Sequence, residues 1–123
     1  VQTVYGGAPI HQQIKNLRHR PQVLIATPGR LIDLLERKAL ELDYLEILVL
    51  DEADEMLNMG FKDELDTILS HAPAERMTWL FSATMPKEIR RMVTDYMTNP
   101  FEVRVDQELK VNTRIEHQFV GLP

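Results

Sequence analysis

Short apolar segments alternate with longer amphipathic segments along this chain. The short segments are rich in β-branched and aromatic residues, which predicts strands, whereas leucines at Leu31, Leu34 and Leu35 recur at the spacing of a helix face. Strands joined by helices of about ten residues form βαβ units, in which the strands lie parallel. The alternation therefore predicts an α/β fold, with a parallel sheet and helices on both faces.

The predicted elements place polar residues directly after several strands. The predicted strands are Gln2–Tyr5, Gln22–Ala26, Ile47–Leu50, Thr78–Phe81 and Phe101–Val105. The predicted helices are His11–Arg18, Pro28–Arg37, Phe61–His71 and Lys87–Met97. Trp79 lies within a predicted strand, and we expect it to be part of the core. Because ligands bind at the carboxyl ends of parallel strands, the polar residues that follow a strand are the first functional candidates.

Charge is unevenly divided along the chain. The formal net charge is −5, yet residues 1–40 carry six Lys and Arg against two acids, so that the remainder is strongly acidic. A basic part beside an acidic part suits a protein that meets both a polyanion and a divalent cation, although solvated helix faces explain the same pattern. The chain has no cysteine, which excludes disulfides and thiolate metal sites and is compatible with a cytoplasmic protein. No apolar run approaches the roughly 18 residues that span a bilayer, so we expect no membrane partner.

An acidic segment follows the third predicted strand, where residues 48–56 read LVLDEADEM. Asp51 comes directly after the strand, so we expect its carboxylate at the carboxyl edge of the sheet. A carboxylate there can hold Mg²⁺ together with waters and a phosphate, and Glu52 is placed to orient a water for attack on a phosphoryl group. The same acids could instead stabilise the N-terminus of the next helix through its dipole.

The segment from Thr27 to Arg30 has the pattern of a helix start that can bind an anion. Thr27 fits an N-cap, Pro28 fits the first helical position, and Gly29 lets a ligand approach the free amides of the first turn. With Arg30 beside it, a nucleic-acid phosphate is the natural ligand. An ordinary capped helix is the alternative.

Two further segments follow predicted strands. Gly6 and Gly7 read first as a turn. Ser82 and Thr84 could reach Asp54 if the fourth strand neighbours the third, although Ser and Thr ahead of Pro86 are also common caps of a following helix.

Taken together, these segments resemble the DEAD-box family of ATP-dependent RNA helicases. In the family's order they are Tyr5-Gly-Gly7, Thr27-Pro-Gly-Arg30, Val49-Leu-Asp-Glu-Ala-Asp54, Met59-Gly-Phe61 and Ser82-Ala-Thr84. Five segments in order form a specific pattern, whereas one tetrapeptide would not. The resemblance implies the later part of the first RecA-like (P-loop NTPase) lobe of a two-lobed enzyme, which hydrolyses ATP and locally separates RNA strands.

The resemblance also implies roles for single residues, with ATP and Mg²⁺ as cofactors and with RNA and a second RecA-like lobe as partners. Asp51, which would hold Mg²⁺ through water, and Glu52 are the implied catalytic residues. Asp54, Ser82 and Thr84 are implied to couple the ATP site to unwinding. The residues implied to contact the RNA backbone are Gly6, Gly7, Thr27, Pro28, Gly29 and Arg30.

One part of the family's ATP site has no counterpart in the sequence. A phosphate loop needs Gly-x-x-x-x-Gly-Lys followed by Ser or Thr, and the five glycines do not have this spacing. Because that loop precedes the Tyr-Gly-Gly segment in the family, we expect residues 1–120 to be an N-terminally truncated lobe and residues 121–123 to begin the inter-lobe linker. We expect the chain to be inactive alone, and unpaired strands could form a strand-exchanged homodimer.

Two other functions remain open from the sequence. A degenerate lobe could bind RNA without catalysis, although the intact Asp51, Glu52 and Ser82-Ala-Thr84 argue against the loss of ATP chemistry. Another P-loop motor could act on DNA or protein, which the complete Thr27-Pro-Gly-Arg30 and Asp-Glu-Ala-Asp segments disfavour.

Overall fold

The computed structural model describes residues 1–105, and the predicted linker start at residues 121–123 lies outside them. In chain order the elements are β1 (Gln2–Val4), α1 (Ile10–Leu17), β2 (Leu24–Ala26), α2 (Pro28–Glu36), β3 (Ile47–Leu50), α3 (Ala53–Asn58), α4 (Lys62–His71), β4 (Met77–Leu80) and α5 (Lys87–Tyr96). The predicted α/β class with parallel strands is confirmed. None of the helices in this part of the chain is long and apolar enough to cross a membrane.

The strands form two parallel pairs. In the first pair β1 lies beside β2 with Val4 opposite Ala26, and in the second pair β3 lies beside β4 with Leu50 opposite Leu80. Among residues 1–105, β2 and β3 are not paired, so the strands make two two-stranded sheets. Parallel pairing brings the ends of both strands of each pair to the same edge, and the polar segments follow those ends.

Helix packing joins the two strand pairs. The side chains of α2 and α4 meet in a cluster in which Leu31 and Leu35 pack with Leu42 and Ile68. Other clusters lie beneath each strand pair, and their most deeply buried members include Val4, Leu34, Leu65 and Ile89. The packing of α2 against α4 thus connects the β1–β2 pair with the β3–β4 pair.

Only one face of the β3–β4 pair is packed within residues 1–105. Leu48, Leu50 and Leu80 pack against the helices, whereas Val49 and Trp79 on the opposite face are about half exposed, at 51% and 52%. The prediction that Trp79 belongs to the core was therefore wrong. Side chains alternate between the two faces of a strand, and the helices described here cover the face that Trp79 does not share.

Two local predictions failed for different reasons. The strand predicted at Phe101–Val105 is wrong, because residues 101–105 have no regular structure and their apolar side chains are exposed. A strand needs a neighbour to satisfy its backbone groups, and none lies beside this segment in the described part of the chain. Helix α3 was not among the predicted elements, since its six residues are too few to show a helical period.

A polar network ties α4 to α5. The carboxylate of Asp66 accepts a hydrogen bond from Lys62 at 2.7 Å and another from the hydroxyl of Tyr96. Lys62, followed by Tyr96, lowers the pKa of Asp66, and the charged Asp66 raises the pKa of Tyr96 to about 12. The phenol therefore keeps its proton, and the contact, at neutral pH.

Candidate functional site

An acidic cleft lies at the carboxyl edge of the β3–β4 pair. Its volume is about 460 Å³, which is in the range of small-molecule sites. The lining residues come from the segments that follow the two strands, and they are Asp51, Glu52, Asp54, Glu55, Phe81, Ser82 and Ala83. The structure thus brings together all but one of the residues that the sequence assigned to ATP chemistry and coupling, and Thr84 contacts the cleft residue Asp54.

Asp51 and Glu52 form the mouth of this cleft, and both are exposed. One oxygen of Asp51 accepts the Glu52 amide N–H at 2.9 Å. Glu52 has a left-handed backbone, with φ 52° and ψ 45°, which costs a residue other than glycine about 1–2 kcal/mol. Glu52 occupies the N-cap position of α3 without making a side-chain capping hydrogen bond. Its carboxylate therefore does not cap the helix, and Glu52 is one of the residues that line the cleft.

The donor set suits a metal that keeps most of its water. Within residues 1–105 no group of three or more His, Cys, Asp or Glu could enclose an ion. Mg²⁺ is commonly bound by one or two carboxylates together with waters and a substrate phosphate. Asp51, exposed at the strand end with one oxygen engaged by a backbone amide, fits such a ligand.

Asp54 connects the two segments that line the cleft. It is only 6% exposed, and one of its oxygens accepts hydrogen bonds from the Thr84 amide at 3.0 Å and the Thr84 hydroxyl at 2.9 Å. The hydrogen bond from the Thr84 hydroxyl is the largest of several effects that together hold the pKa of Asp54 below its usual value, against the opposing effect of burial. The carboxylate is therefore ionised, and it fixes the segment after β4 to the start of α3.

Ser82 and Thr84 do not cap the helix that follows them. The N-cap position of α5 is Pro86, which makes no side-chain capping hydrogen bond. The hydroxyl of Ser82 donates to the carbonyl oxygen of Thr84 at 2.7 Å, and it is Thr84 that reaches Asp54. The sequence left open whether these hydroxyls contact Asp54 or cap α5, and the structure shows the contact with Asp54, made by Thr84.

A second edge, after β1 and β2, carries the segments that were assigned to the RNA backbone. The Thr27 amide donates to the Val4 carbonyl at 3.1 Å, which sets the start of α2 beside the end of β1. Thr27 is the exposed N-cap and Pro28 the first helical residue, as predicted, but the Thr27 hydroxyl makes no capping hydrogen bond. A Cβ on Gly29 would meet no atom of the described residues within 4 Å. This helix start is open to a ligand.

The two glycines after β1 form a turn at the same edge. Gly7 has φ +81°, a backbone conformation that favours glycine. Apart from Gly6 itself and its two neighbours in the chain, no described residue has a heavy atom within 4 Å of the Cβ that a side chain at Gly6 would add. The turn therefore faces open space beside the start of α2.

The guanidinium of Arg30 bonds to this turn. Its Nη1 atom donates to the Ala8 carbonyl at 3.0 Å and to Oε1 of Gln13 at 3.1 Å. The amide nitrogen of Gln13 in turn donates to the Tyr5 carbonyl at 3.0 Å. Gln13 is 5% exposed, and it was not among the candidates from the sequence.

A signal for Gln13 was nevertheless present in the sequence. Ile10, Ile14 and Leu17 recur at the spacing of one helix face, and Gln13 interrupts that face with a polar side chain. A buried polar side chain needs hydrogen-bond partners, so its position within an apolar stripe marks it as a residue with a specific contact.

Comparisons with known proteins show the family of this chain. A family model described as DEAD/DEAH box helicase matches residues 1–92. The ATP-dependent RNA helicase CshA of Listeria monocytogenes is 51% identical over 120 residues, which are 98% of this chain and 23% of that protein. The RNA helicase CrhR of Synechocystis is 48% identical, with 98% of this chain and 24% of that protein covered. The chain thus spans about a quarter of the length of these curated relatives.

Solved structures show the same likeness in three dimensions. A DEAD box protein from Methanococcus jannaschii has a TM-score of 0.75 and 42% identity, over 79% of this chain and 26% of that one. A hypothetical ATP-dependent RNA helicase from Sulfolobus tokodaii has a TM-score of 0.74 and 45% identity, over 80% of this chain and 29% of that one.

Proposed function

Because this chain belongs to the DEAD/DEAH box helicase family, we propose that it works as part of a longer ATP-dependent RNA helicase. The reaction is RNA-stimulated hydrolysis of ATP, coupled to local separation of RNA strands. The observation that supports this most directly is the contact of Asp54 with Thr84, which ties the acidic cleft to the segment after β4. This link supports a role of the cleft beyond RNA binding, because it joins the two segments that line the cleft.

On the ATP side, each cleft residue has a separate task. Asp51 would hold Mg²⁺ through water, and the metal would neutralise charge on the phosphates. Glu52, which lines the cleft, orients the attacking water and accepts its proton. Asp54 stays ionised and holds the turn at Ser82–Thr84. Binding of ATP in the cleft and movement of that turn would therefore influence each other.

On the RNA side, the open turn at Gly6–Gly7 and the start of α2 supply backbone amides to RNA phosphates. The N-terminus of a helix carries a partial positive charge, which favours an anion at Thr27–Arg30. Such contacts carry no base sequence information, so they suit an enzyme that acts on RNA of many sequences. The second RecA-like lobe would bind the remainder of the same RNA.

We propose further that this chain alone does not hydrolyse ATP. The five glycines provide no phosphate loop, and the chain spans about a quarter of the length of its curated relatives. At saturating ATP, Mg²⁺ and RNA, we expect no turnover from the chain alone and RNA-stimulated turnover from a longer protein that contains it. Turnover by the chain alone that Glu52→Gln abolishes would contradict the first expectation. A longer protein that binds RNA but never hydrolyses ATP would instead be a degenerate RNA-binding lobe.

The isolated chain is also proposed to pair with a second copy of itself. Within residues 1–105 the strands form two separate pairs, which leaves strand edges and apolar side chains such as Val49 and Trp79 exposed. Unpaired edges bind other strands. Light scattering on the purified chain is expected to give a mass above the monomer's 14.3 kDa. A monodisperse, cooperatively melting monomer would show that the strand pairs are stable as they stand.

A further inference from the structure

We propose that Gln13, which lies outside the five motif segments, is a positioning residue for RNA binding. It holds the Gly6–Gly7 turn and the guanidinium of Arg30 in the arrangement that presents a free backbone amide and a positive charge to an RNA phosphate. This inference rests on the proposed function, and it assigns that function's RNA contact to a specific arrangement of hydrogen bonds.

The carbonyl groups on either side of the two glycines are bound from within the protein. Gln13 donates to the carbonyl of Tyr5 at 3.0 Å, and Arg30 donates to the carbonyl of Ala8 at 3.0 Å. Oε1 of Gln13 accepts from the same Arg30 nitrogen at 3.1 Å, so the three contacts form one connected network. The turn is therefore held at both ends by side chains from α1 and α2.

Binding the Tyr5 carbonyl also decides where the next amide points. A trans peptide is planar, with its C=O and N–H on opposite sides, and the described residues contain no cis peptide bond. Because the Tyr5 carbonyl faces the buried Gln13, the N–H of Gly6 faces away from it. In residues 1–105 no backbone hydrogen bond is formed by the amides of Gly6 and Gly7. The network thus directs an unused donor outward, beside a glycine whose surroundings are open.

No acidic side chain pairs with Arg30 in this network. Its two acceptors, a carbonyl and an amide oxygen, are neutral, and it is not part of any ion pair found among the described residues. Arg37, by contrast, is paired with Asp33 at 2.6 Å. An uncompensated cation next to a free amide attracts an anion.

The amide side chain of Gln13 meets two demands that a carboxylate could not. It accepts from Arg30 with its oxygen and donates to Tyr5 with its nitrogen. A glutamate has no N–H to give to the Tyr5 carbonyl, and its charge would neutralise Arg30. If Gln13 only satisfied its own polar groups, replacing it would change the stability of the chain and leave its affinity for RNA unchanged. Measuring both quantities therefore distinguishes the two roles.

Three variants of the full chain separate positioning from charge, and a fourth serves as a control. Gln13→Met keeps the length of the side chain and removes its hydrogen bonds, whereas Gln13→Glu adds a charge beside Arg30. Arg30→Lys keeps the positive charge but replaces the planar guanidinium, whose Nη1 atom donates to Ala8 and Gln13, by a compact ammonium on a flexible stem. Gln12→Met is the matched control, because Gln12 is the exposed neighbour on α1, and within residues 1–105 its side chain bonds only to Asn16, at 3.1 Å.

The measurement is a titration of the ¹⁵N-labelled chain with single-stranded oligouridylate, followed by NMR at several salt concentrations. The amides of Gly6, Gly7 and Gly29 report on the site, and Gly60 in the segment between α3 and α4 is the internal reference. Urea unfolding of each variant is measured alongside. Site-specific shifts of Gly6 and Gly7 with a salt-dependent Kd are expected for the unsubstituted chain and for Gln12→Met.

For Gln13→Met we expect the Kd for RNA to rise about five- to thirtyfold, the factor that one or two lost hydrogen bonds produce. Arg30→Lys should weaken binding with the salt dependence kept. Gln13→Glu should weaken it further and lower the slope of log K against log salt by roughly 0.7, the value for one phosphate contact to a single strand. Equal affinity for Gln13→Met and Gln12→Met, with only urea stability changed, would overturn the inference. Absence of RNA binding by the unsubstituted chain would overturn the RNA contact assigned to the edge after β1 and β2, and this inference with it, whereas the proposed ATP hydrolysis of the longer protein is tested separately by the ATPase assay.

Discussion

Glu52→Gln, made in a longer protein that contains this chain, is expected to lower kcat for RNA-stimulated ATP hydrolysis by about 10²- to 10⁴-fold. The amide cannot accept a proton from the attacking water. Because glutamine has nearly the same size as glutamate, we expect residue 52 to keep its left-handed backbone at the start of α3. Because a base is removed rather than a ligand, the affinities for ATP and RNA should change little. A steady-state ATPase assay with RNA titrations gives both quantities.

Glu55→Gln is the matched control for this experiment. Glu55 lines the same cleft, and the substitution makes the same change in charge one helical turn further on. We expect its ATPase rate to stay close to that of the unsubstituted protein. Equal losses in the two variants would show that charge in the cleft, and not a base at Glu52, supports hydrolysis. If the RNA affinity of Glu52→Gln fell together with kcat, the assignment of ATP hydrolysis to one edge and RNA binding to the other would be contradicted.

Leu34→Ala is expected to lower the free energy of unfolding of the full chain by about 2–5 kcal/mol. Leu34 is completely buried on α2, where it packs with Val4 of β1 and Leu17 of α1. Shortening it leaves a cavity under the strand pair that carries the Gly6–Gly7 turn and the start of α2. Since a whole domain is stable by only about 5–15 kcal/mol, the loss would be a large fraction of the total.

Urea unfolding followed by far-UV circular dichroism, at one fixed protein concentration, measures this effect. Ile25→Ala is the control, because Ile25 lies on β2 above the same core and is 58% exposed. Exposed positions away from special contacts usually change stability by less than about 0.5 kcal/mol. A similar shift of the midpoint in both variants would mean that the cluster around Leu34 is not the core of this half of the molecule.

The candidate sites could be located from the sequence because their positions depend on local pattern. Asp51 and Thr27 each follow a short apolar segment, and parallel pairing places the ends of neighbouring strands at one edge. Both segments were therefore expected at strand ends, and both lie there. The αL conformation of Glu52 could not be foreseen, since nothing about a glutamate favours a positive φ.

The partners of individual side chains could not be read from the sequence in the same way. Arg30 was predicted to contact the RNA backbone, and the structure shows that its guanidinium bonds to Ala8 and Gln13, the latter 17 residues away along the chain. Its assigned contact with RNA remains a prediction, and the structure adds a role in shaping the turn. The choice between Asp54 and a helix cap as the partner of Thr84 was likewise open until β3 and β4 were seen side by side.

The sequence by itself determined the α/β class, nearly all of the elements, the family and the residues that follow the strands at the two candidate edges. These follow from periodicity and from short segments, which depend on neighbours a few residues apart. Only the tertiary structure decided that Trp79 is exposed, that residues 101–105 form no strand, and that Gln13 connects Arg30 to the turn. Each of these depends on which distant segment lies alongside, because burial, strand pairing and side-chain hydrogen bonds need a partner that the local sequence does not name.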